Sequence, residues 1–489
     1  MLKDMGSKSL AGRRLAWLSI VGVSLGAAYA CNEYDESLLL PGETGGTGGT
    51  VDGGGGVSGG TGGGPDKTPF WHEKAANGCD TEGMPTADQR PTTADSDDLP
   101  PLYLGMITMG FGSAKNDKAR TPDPEVRNTV GFDIDGRCTD STTCTGQAAE
   151  LGCKNDNALP DGDQCRDNAF GGVISKMAEI PELVPYGYTE AHWNCGLLHG
   201  EFMQMFKLTG YNGTLNDPQV RVDMYSSDGA DGLAHDICGS TGSNIPSDWY
   251  DNVAWLEFDP FRVSKRYLTK QSGFEMGTLP DSIYADASAY VRNGYLIVQL
   301  PDPFEIWLTG ERSYGHTAGI RLLIHRGVIA GKLELNFQTE NWSISEGTLG
   351  GVIAPSDFIS NLKEVGVCGN LCGAEQPLLD YINQHADALV AGDPNPDANC
   401  DGLSLGMQFT AKEILPGPIF DPQVPAECSQ VPSDAPPLNC GCPCIPMGGA
   451  GGTGGTAGTG GTGGTSGGTG GTGGVGGATG GAAGTGGSN

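Results

Sequence analysis

A mainly β fold, an antiparallel sandwich or curved sheet with a few short helices, is predicted by three features of this chain. Apolar and polar residues alternate strictly over residues 332–338 and 403–411, which gives each segment one buried and one wet face. Turn residues punctuate such segments, foremost Asn293-Gly294 between residues 289–291 and 295–300. Helical periodicity is scarce, and Gly, Pro and Asp break the chain at short intervals.

Taken in order, strands are predicted over residues 102–109, 201–209, 219–225, 253–258, 289–291, 295–300, 305–309, 319–325, 328–337, 343–353 and 403–411. Segments 319–325 and 328–337 flank Arg326-Gly327 and read as a second hairpin. Helices are predicted over residues 169–178, 356–365 and 377–390. In the last, Leu378, Leu379, Ile382, Ala386, Leu389 and Val390 share a face, and Pro377 suits a first turn. Ser356 is placed to cap the second. Residues 138–195, rich in Cys and Asp, read as an irregular disulfide-rich insertion on the β framework.

Four segments organise the chain. Residues 1–30 read as an export signal: Lys3, Lys8, Arg13 and Arg14 precede an apolar run over residues 15–27 that is short for a membrane span. Residues 31–67 are an N-terminus and tether, Gly/Thr-rich over 42–64 and too polar to offset its ordering entropy. A coil of about 25 residues reaches roughly 25–30 Å, enough to hold a domain clear of a membrane. Residues 68–446 form the ectodomain, long enough for a real core, and residues 447–489 form a second Gly/Thr-rich tract with neither charge nor a hydrophobic anchor.

Cys31 follows Ala28-Tyr29-Ala30. The site reads in two ways, as an ordinary small-residue cleavage site or as one that resembles a bacterial lipobox, whose cysteine is acylated. Cysteine parity and the tether favour acylation: there are fifteen cysteines, and setting Cys31 aside leaves an even number for disulfides. The net charge of −31, from 28 basic and 59 acidic residues, excludes nucleic acid and anionic headgroups as partners and favours divalent cations.

Two acidic runs have the chemistry of calcium loops, in which alternating hard oxygens wrap one cation. One joins Asp133 and Asp135 to Asn155, Asp156, Asn157, Asp161, Asp163 and Asp167; the other is Asp397, Asn399 and Asp401 before Gly402. The second resembles half of an EF-hand loop, with Gln408 where the closing Glu belongs. For both, a solvated acidic loop pinned by cysteines is the competing reading. Trp249 and Tyr250, flanked by Asp248 and Asp251, are ligand candidates for stacking on a sugar, or else core anchors.

No catalytic residue is assigned. Gly402-Leu403-Ser404-Leu405-Gly406 fits the nucleophile-elbow spacing but lies in an alternating strand, and no His follows His385. His192, Cys195 and His199 have borderline zinc spacing, and an exported cysteine reads better as bridged. Residues 440–444 (CGCPC) read as a disulfide knot.

The lipobox-like signal, the low-complexity tether and the Cys- and Asp-rich ectodomain together resemble the Gly/Thr-rich surface lipoproteins of myxobacterial type. GFDIDG at residues 131–136, DGDQCRDN at 161–168 and CDGLSLGMQF at 400–409 carry the likeness within the ectodomain. The resemblance implies export to the outer membrane or cell surface and a β-rich fold, and implies no activity. The expectation is a lipid-anchored, non-enzymatic display or binding module, calcium-stabilised, with a glycan or protein ligand and contact to the membrane through the N-terminal lipid only. A secreted hydrolase of polysaccharide or lipid, with carboxylates from separate loops, is the alternative.

Overall fold

Alternation along the long strands produces a sheet with one continuous apolar face, and that sheet closes on itself. The computed structural model describes residues 69–74, 80–93, 97–139, 152–179, 189–231, 238, 249–251, 255, 259–270, 278–308, 320–364, 371–392 and 394–421. All belong to the unit that ends at Cys444. Cys31, the signal segment, both Gly/Thr-rich tracts, residues 440–444 and all but Trp255 of the strand expected at 253–258 lie outside the described residues.

A small ladder pairs β1 (Glu73–Lys74) with β2 (Asp80–Thr81). The main sheet contains β3 (Leu102–Gly110), β4 (Met203–Thr209), β5 (Asp217–Ala230), β6 (Pro260–Ser264), β7 (Ala285–Arg292), β8 (Tyr295–Gln299), β9 (Phe304–Trp307), β10 (Arg321–Asn336), β11 (Asn341–Ile353), β12 (Leu403–Glu413) and β13 (Leu415–Phe420). Eight of these form an antiparallel barrel in the order β5-β4-β3-β12-β11-β10-β8-β7, and β7 returns to β5 through Asp217↔Val291 and Val222↔Asp286. The fold is therefore mainly β and antiparallel, as the alternation predicts, but it is a barrel rather than a sandwich. Closure needs the β5–β7 pairing, which joins segments some seventy residues apart and leaves no local mark in the sequence.

Leu104, Phe206, Val222, Val291, Leu296, Ile329, Leu349 and Leu405, one from each barrel strand, share the inner face and belong to a single apolar cluster that fills the barrel. Alternate residues Tyr290, Ile297, Val328, Ala330 and Val352 face outward and are covered by Trp71, Phe132 and Ile134. Elsewhere the outer face is charged: Lys332 reaches Glu334 at 2.9 Å and Glu346 at 3.4 Å. Interior room is tight. A Cβ on Gly347 of β11 would sit 2.6 Å from the Phe409 ring. Gly347→Ala is expected to lower stability by about 1–3 kcal/mol through overpacking, read as a lower midpoint in urea unfolding.

Local differences from expectation have local causes. Arg326-Gly327 is a bulge inside β10, with Arg326 at φ 55° and the register against β11 shifted between His325 and Val328. A left-handed residue followed by Gly serves a bulge as well as a turn. β13 (LPGPIF) is not predicted by its sequence, because two prolines disfavour a central strand; it pairs parallel with β6, outside the closed ring. Helices fall at α1 (Ala169–Glu179), α2 (Glu190–Leu198), α3 (Pro355–Glu364) and α4 (Leu371–Gln384). α4 begins before Pro377 and stops at Gln384, where the Asn155 amide donates to the Gln384 and Ala386 carbonyls at 2.9 and 2.6 Å.

The segment between β3 and β4, with α1 and α2, is the expected disulfide-rich insertion. Beyond Gly110 and Gln408, β3 and β12 part and leave backbone groups to be satisfied. Asn168 accepts from Gly406 N at 3.0 Å and donates to the Phe111 carbonyl at 2.8 Å. Asn194 of α2 does the same for both backbone groups of Met109, at 2.9 and 2.6 Å. Buried Glu190 accepts from Phe111 N, Ser113 N and Ser113 Oγ at 2.7–2.8 Å. These side chains stand in for a strand partner and lock the insertion onto the barrel.

Candidate metal centre

Short local turns aim the carboxylates of this insertion at one another. Asp133 Oδ1 accepts from Gly136 N at 2.6 Å, and Asp135 Oδ1 accepts from Arg137 N at 2.8 Å. The second is an Asx turn, the habit of Asp in tight loops, and the first closes a turn one residue longer. Asp167 N donates to the Phe132 carbonyl at 2.9 Å, and Asp167 Oδ2 accepts from Ile134 N at 2.7 Å and Asp135 N at 3.3 Å. Asp161 exchanges two hydrogen bonds with Thr139, at 2.6 and 2.8 Å. Asp387, after α4, accepts from Ser404 N at 2.7 Å and from Ser404 Oγ.

Disulfides fix this arrangement. Cys138–Cys165 ties the segment after Asp135 to the one before Asp167, and Cys153–Cys400 ties the insertion to β12. Gly152 is needed beside Cys153, because a Cβ there would fall 1.6 Å from Asp135 Oδ2.

One oxygen from each of Asp133, Asp135 and Asp167 lies within 4.8 Å of the others. Oxygens bound to calcium at about 2.3–2.6 Å stand no more than about 5 Å apart, so the three suit one cation. Burial is the main force on their protonation, with repulsion added. Burial and then the Asp161 charge push Asp133 up to about 7. Burial and then the charges of Asp133 and Asp161 push Asp135 up to about 8. Asp167 is raised well above the carboxylate range by burial and by Asp135, Asp161 and Asp133. Burial raises Asp161 as well, and brings Asp387 to about 7 against the Ser404 hydrogen bonds. All the donors are hard oxygens, so the set fits calcium-like cations and not a thiolate metal.

Of the residues singled out from sequence, Asp133, Asp135, Asp161 and Asp167 meet here. Asp156 and Asp163 are exposed. Asp397, Asn399 and Asp401 are exposed too. Asp401 Oδ1 accepts from Val390 N at 2.8 Å, and Asp397 N donates to Asn395 Oδ1 at 3.1 Å. Their loop is joined to the insertion through Lys154 N and the Ala398 carbonyl at 2.7 Å. Asp387 joins the cluster with one sequence signal only, an acid between two alanines on the apolar side of a helix end.

Trp249 is buried against the Cys195–Cys238 disulfide and Leu198, so its ring has no face for a sugar; Tyr250 meets it edge-on at 5.7 Å. The same disulfide consumes the Cys195 sulfur that a zinc site would need. Ser404 is fully buried and its Oγ accepts from Ala169 N at 2.8 Å, a structural use.

These features define a closed antiparallel barrel whose inter-strand insertion carries a disulfide-bounded carboxylate cluster. Comparison with protein-family models, curated proteins and solved structures found no match to the chain. Among the described residues, no helix is long and apolar enough to cross a membrane.

Proposed function

We infer that this chain is an exported, calcium-stabilised display or binding module, non-enzymatic and held at the cell surface by a lipid on Cys31. The observation that carries the calcium reading is the convergence of Asp133, Asp135 and Asp167, with Asp161 and Asp387 electrostatically coupled to them. Packed carboxylates repel one another, and a divalent cation turns that repulsion into attraction. The cation would be held by Asp133, Asp135 and Asp167, and its role is to pin the insertion over the gap between β3 and β12. A barrel so stapled is a rigid platform for a glycan or protein ligand carried on its loops.

Isothermal titration of the chelator-treated mature chain tests this. Saturable calcium binding and a higher melting temperature are expected; no heat together with an unchanged melting temperature refutes the reading. The hydrolase alternative draws on the same acids, and turnover of a polysaccharide that Asp135→Asn abolishes would establish it instead.

A further inference from the structure

We propose that the barrel end carrying the Asn293-Gly294 turn docks onto the surface of a neutral lipid bilayer, a proposal that rests on the lipid-anchor reading of Cys31. Three loops meet at this end. Gly294 N donates to the Leu215 carbonyl and Leu333 N to the Gly294 carbonyl, both at 2.9 Å, which joins the loop before β5, the β7–β8 turn and β10. The β10–β11 hairpin runs out through Asn336↔Asn341, and Phe337 stands just beyond. Tyr211 packs edge-on against Trp342 at 5.3 Å, and Leu99 N donates to the Tyr211 carbonyl at 2.7 Å.

These loops present large apolar side chains among polar ones. Among the described residues five large apolar side chains stand exposed, and Leu99, Leu215 (64%) and Phe337 (88%) are three of them. They project from separate loops around the rim at one barrel end, and Phe337 and Leu215 are the two most exposed of the five.

The entry of the chain supplies the occupant. Phe70 lies under the Arg292 guanidinium at 4.7 Å, and Trp71 meets Tyr295 edge-on at 4.9 Å. Arg292 and Tyr295 flank the same turn, so the described chain begins at this end. Residues 32–68 connect it to Cys31, and the Gly/Thr-rich coil that the sequence predicts over residues 42–64 has a root-mean-square reach of about 25–30 Å. A lipid on Cys31 thus keeps this rim near the bilayer at high effective concentration. The carboxylate cluster borders Ser404, which pairs with Val352 near the opposite end of β11, and stays clear. Asp97, Asp98 and Glu340 are exposed near the rim, so neutral headgroups suit it and anionic ones do not.

The test uses the mature chain with Cys31→Ser, which carries no lipid, and phosphatidylcholine vesicles. The chain is expected to float with the vesicles at low and high salt alike. Leu215→Asp with Phe337→Asp should weaken flotation about tenfold without moving the melting temperature. With brominated phosphatidylcholine, Phe337→Trp should add quenching beyond that of the parent chain's own tryptophans, Trp342 among them, and Ser356→Trp, on α3, should add none. Failure to float, or equal added quenching in both variants, overturns the proposal. So does self-association without lipid that the double aspartate variant abolishes, which would assign the rim to a second copy of the chain. Mass spectrometry separates the two readings: an unmodified Cys31 removes the anchor and leaves the flotation result standing.

Discussion

Asp167→Asn is expected to abolish the calcium-induced rise in melting temperature while leaving the calcium-free chain as stable as before, or more so. The two effects have opposite signs because the carboxylate has two roles. Its Oδ2 accepts from Ile134 N and Asp135 N, which an amide oxygen can still do. Burial and the neighbouring Asp135, Asp161 and Asp133 oppose its ionisation in the calcium-free chain, whereas a bound cation attracts the ionised carboxylate. Calcium at a hundred times its Kd stabilises the native state by about 2.7 kcal/mol. For a folded region of this size that is a rise of roughly 3 °C. Calorimetric melting of both chains, with chelator and with calcium, reads the pair of effects. A variant that lowers the calcium-free melting temperature and keeps the calcium response would show that Asp167 only holds the backbone.

The same carboxylates set a pH dependence. Asp133 and Asp387 are raised to about 7 and Asp135 to about 8, against an unfolded value of about 3.9. Between those limits the native state holds protons that the unfolded chain has released. Stability of the calcium-free chain therefore falls as pH rises from about 4 to 8. Calcium needs the deprotonated carboxylates, so its affinity rises over the same window and offsets the loss. Melting temperatures at pH 5.5 and pH 8 should thus diverge with chelator present and converge with calcium. An equal slope in both conditions would mean that the cation does not meet these groups.

What the sequence made legible follows the range of the interactions. Alternation over residues 403–411 placed β12 because strand period is local, and Asn293-Gly294 placed the β7–β8 hairpin because a two-residue turn is local. Arg326-Gly327 has the same local signature as a turn, and only the continuing partners β8 and β11 decide that it is a bulge. Barrel closure through β5 and β7 depends on pairing that no short window contains. The candidate centre divides likewise. Asp133 and Asp135 stand two apart and announce themselves, and Asp161 and Asp167 follow within one Cys-bounded run. Asp387 arrives from the end of α4, brought in by Ser404, and its burial is a tertiary fact. The chain pattern around Asp397, Asn399 and Asp401 was the more motif-like of the two, yet Asp401 instead caps Val390 N.

Removing the Cys153–Cys400 bond is expected to destabilise the chain by up to about 5 kcal/mol, the chain-entropy limit for so long a loop. The two cysteines are 247 residues apart in sequence and join the insertion to the start of β12. The double variant Cys153→Ala, Cys400→Ala leaves no free thiol from the pair, and urea unfolding measures the loss. The bond also bears on the cation site. Gly152, next to Cys153, packs against Asp135 Oδ2, and hydrogen bonds on either side of Lys154, to Ala398 and Cys400, hold that strip in line with β12. Freed of the cross-link, the strip loses part of its hold on Asp135, and the site must be ordered by the cation itself. Calcium affinity should then fall about tenfold, the ordering now being drawn from binding free energy. If affinity holds while stability drops, the turns at Asp133 and Asp135 and the Cys138–Cys165 bond suffice to shape the site. The Cys153–Cys400 bond would then serve the barrel alone.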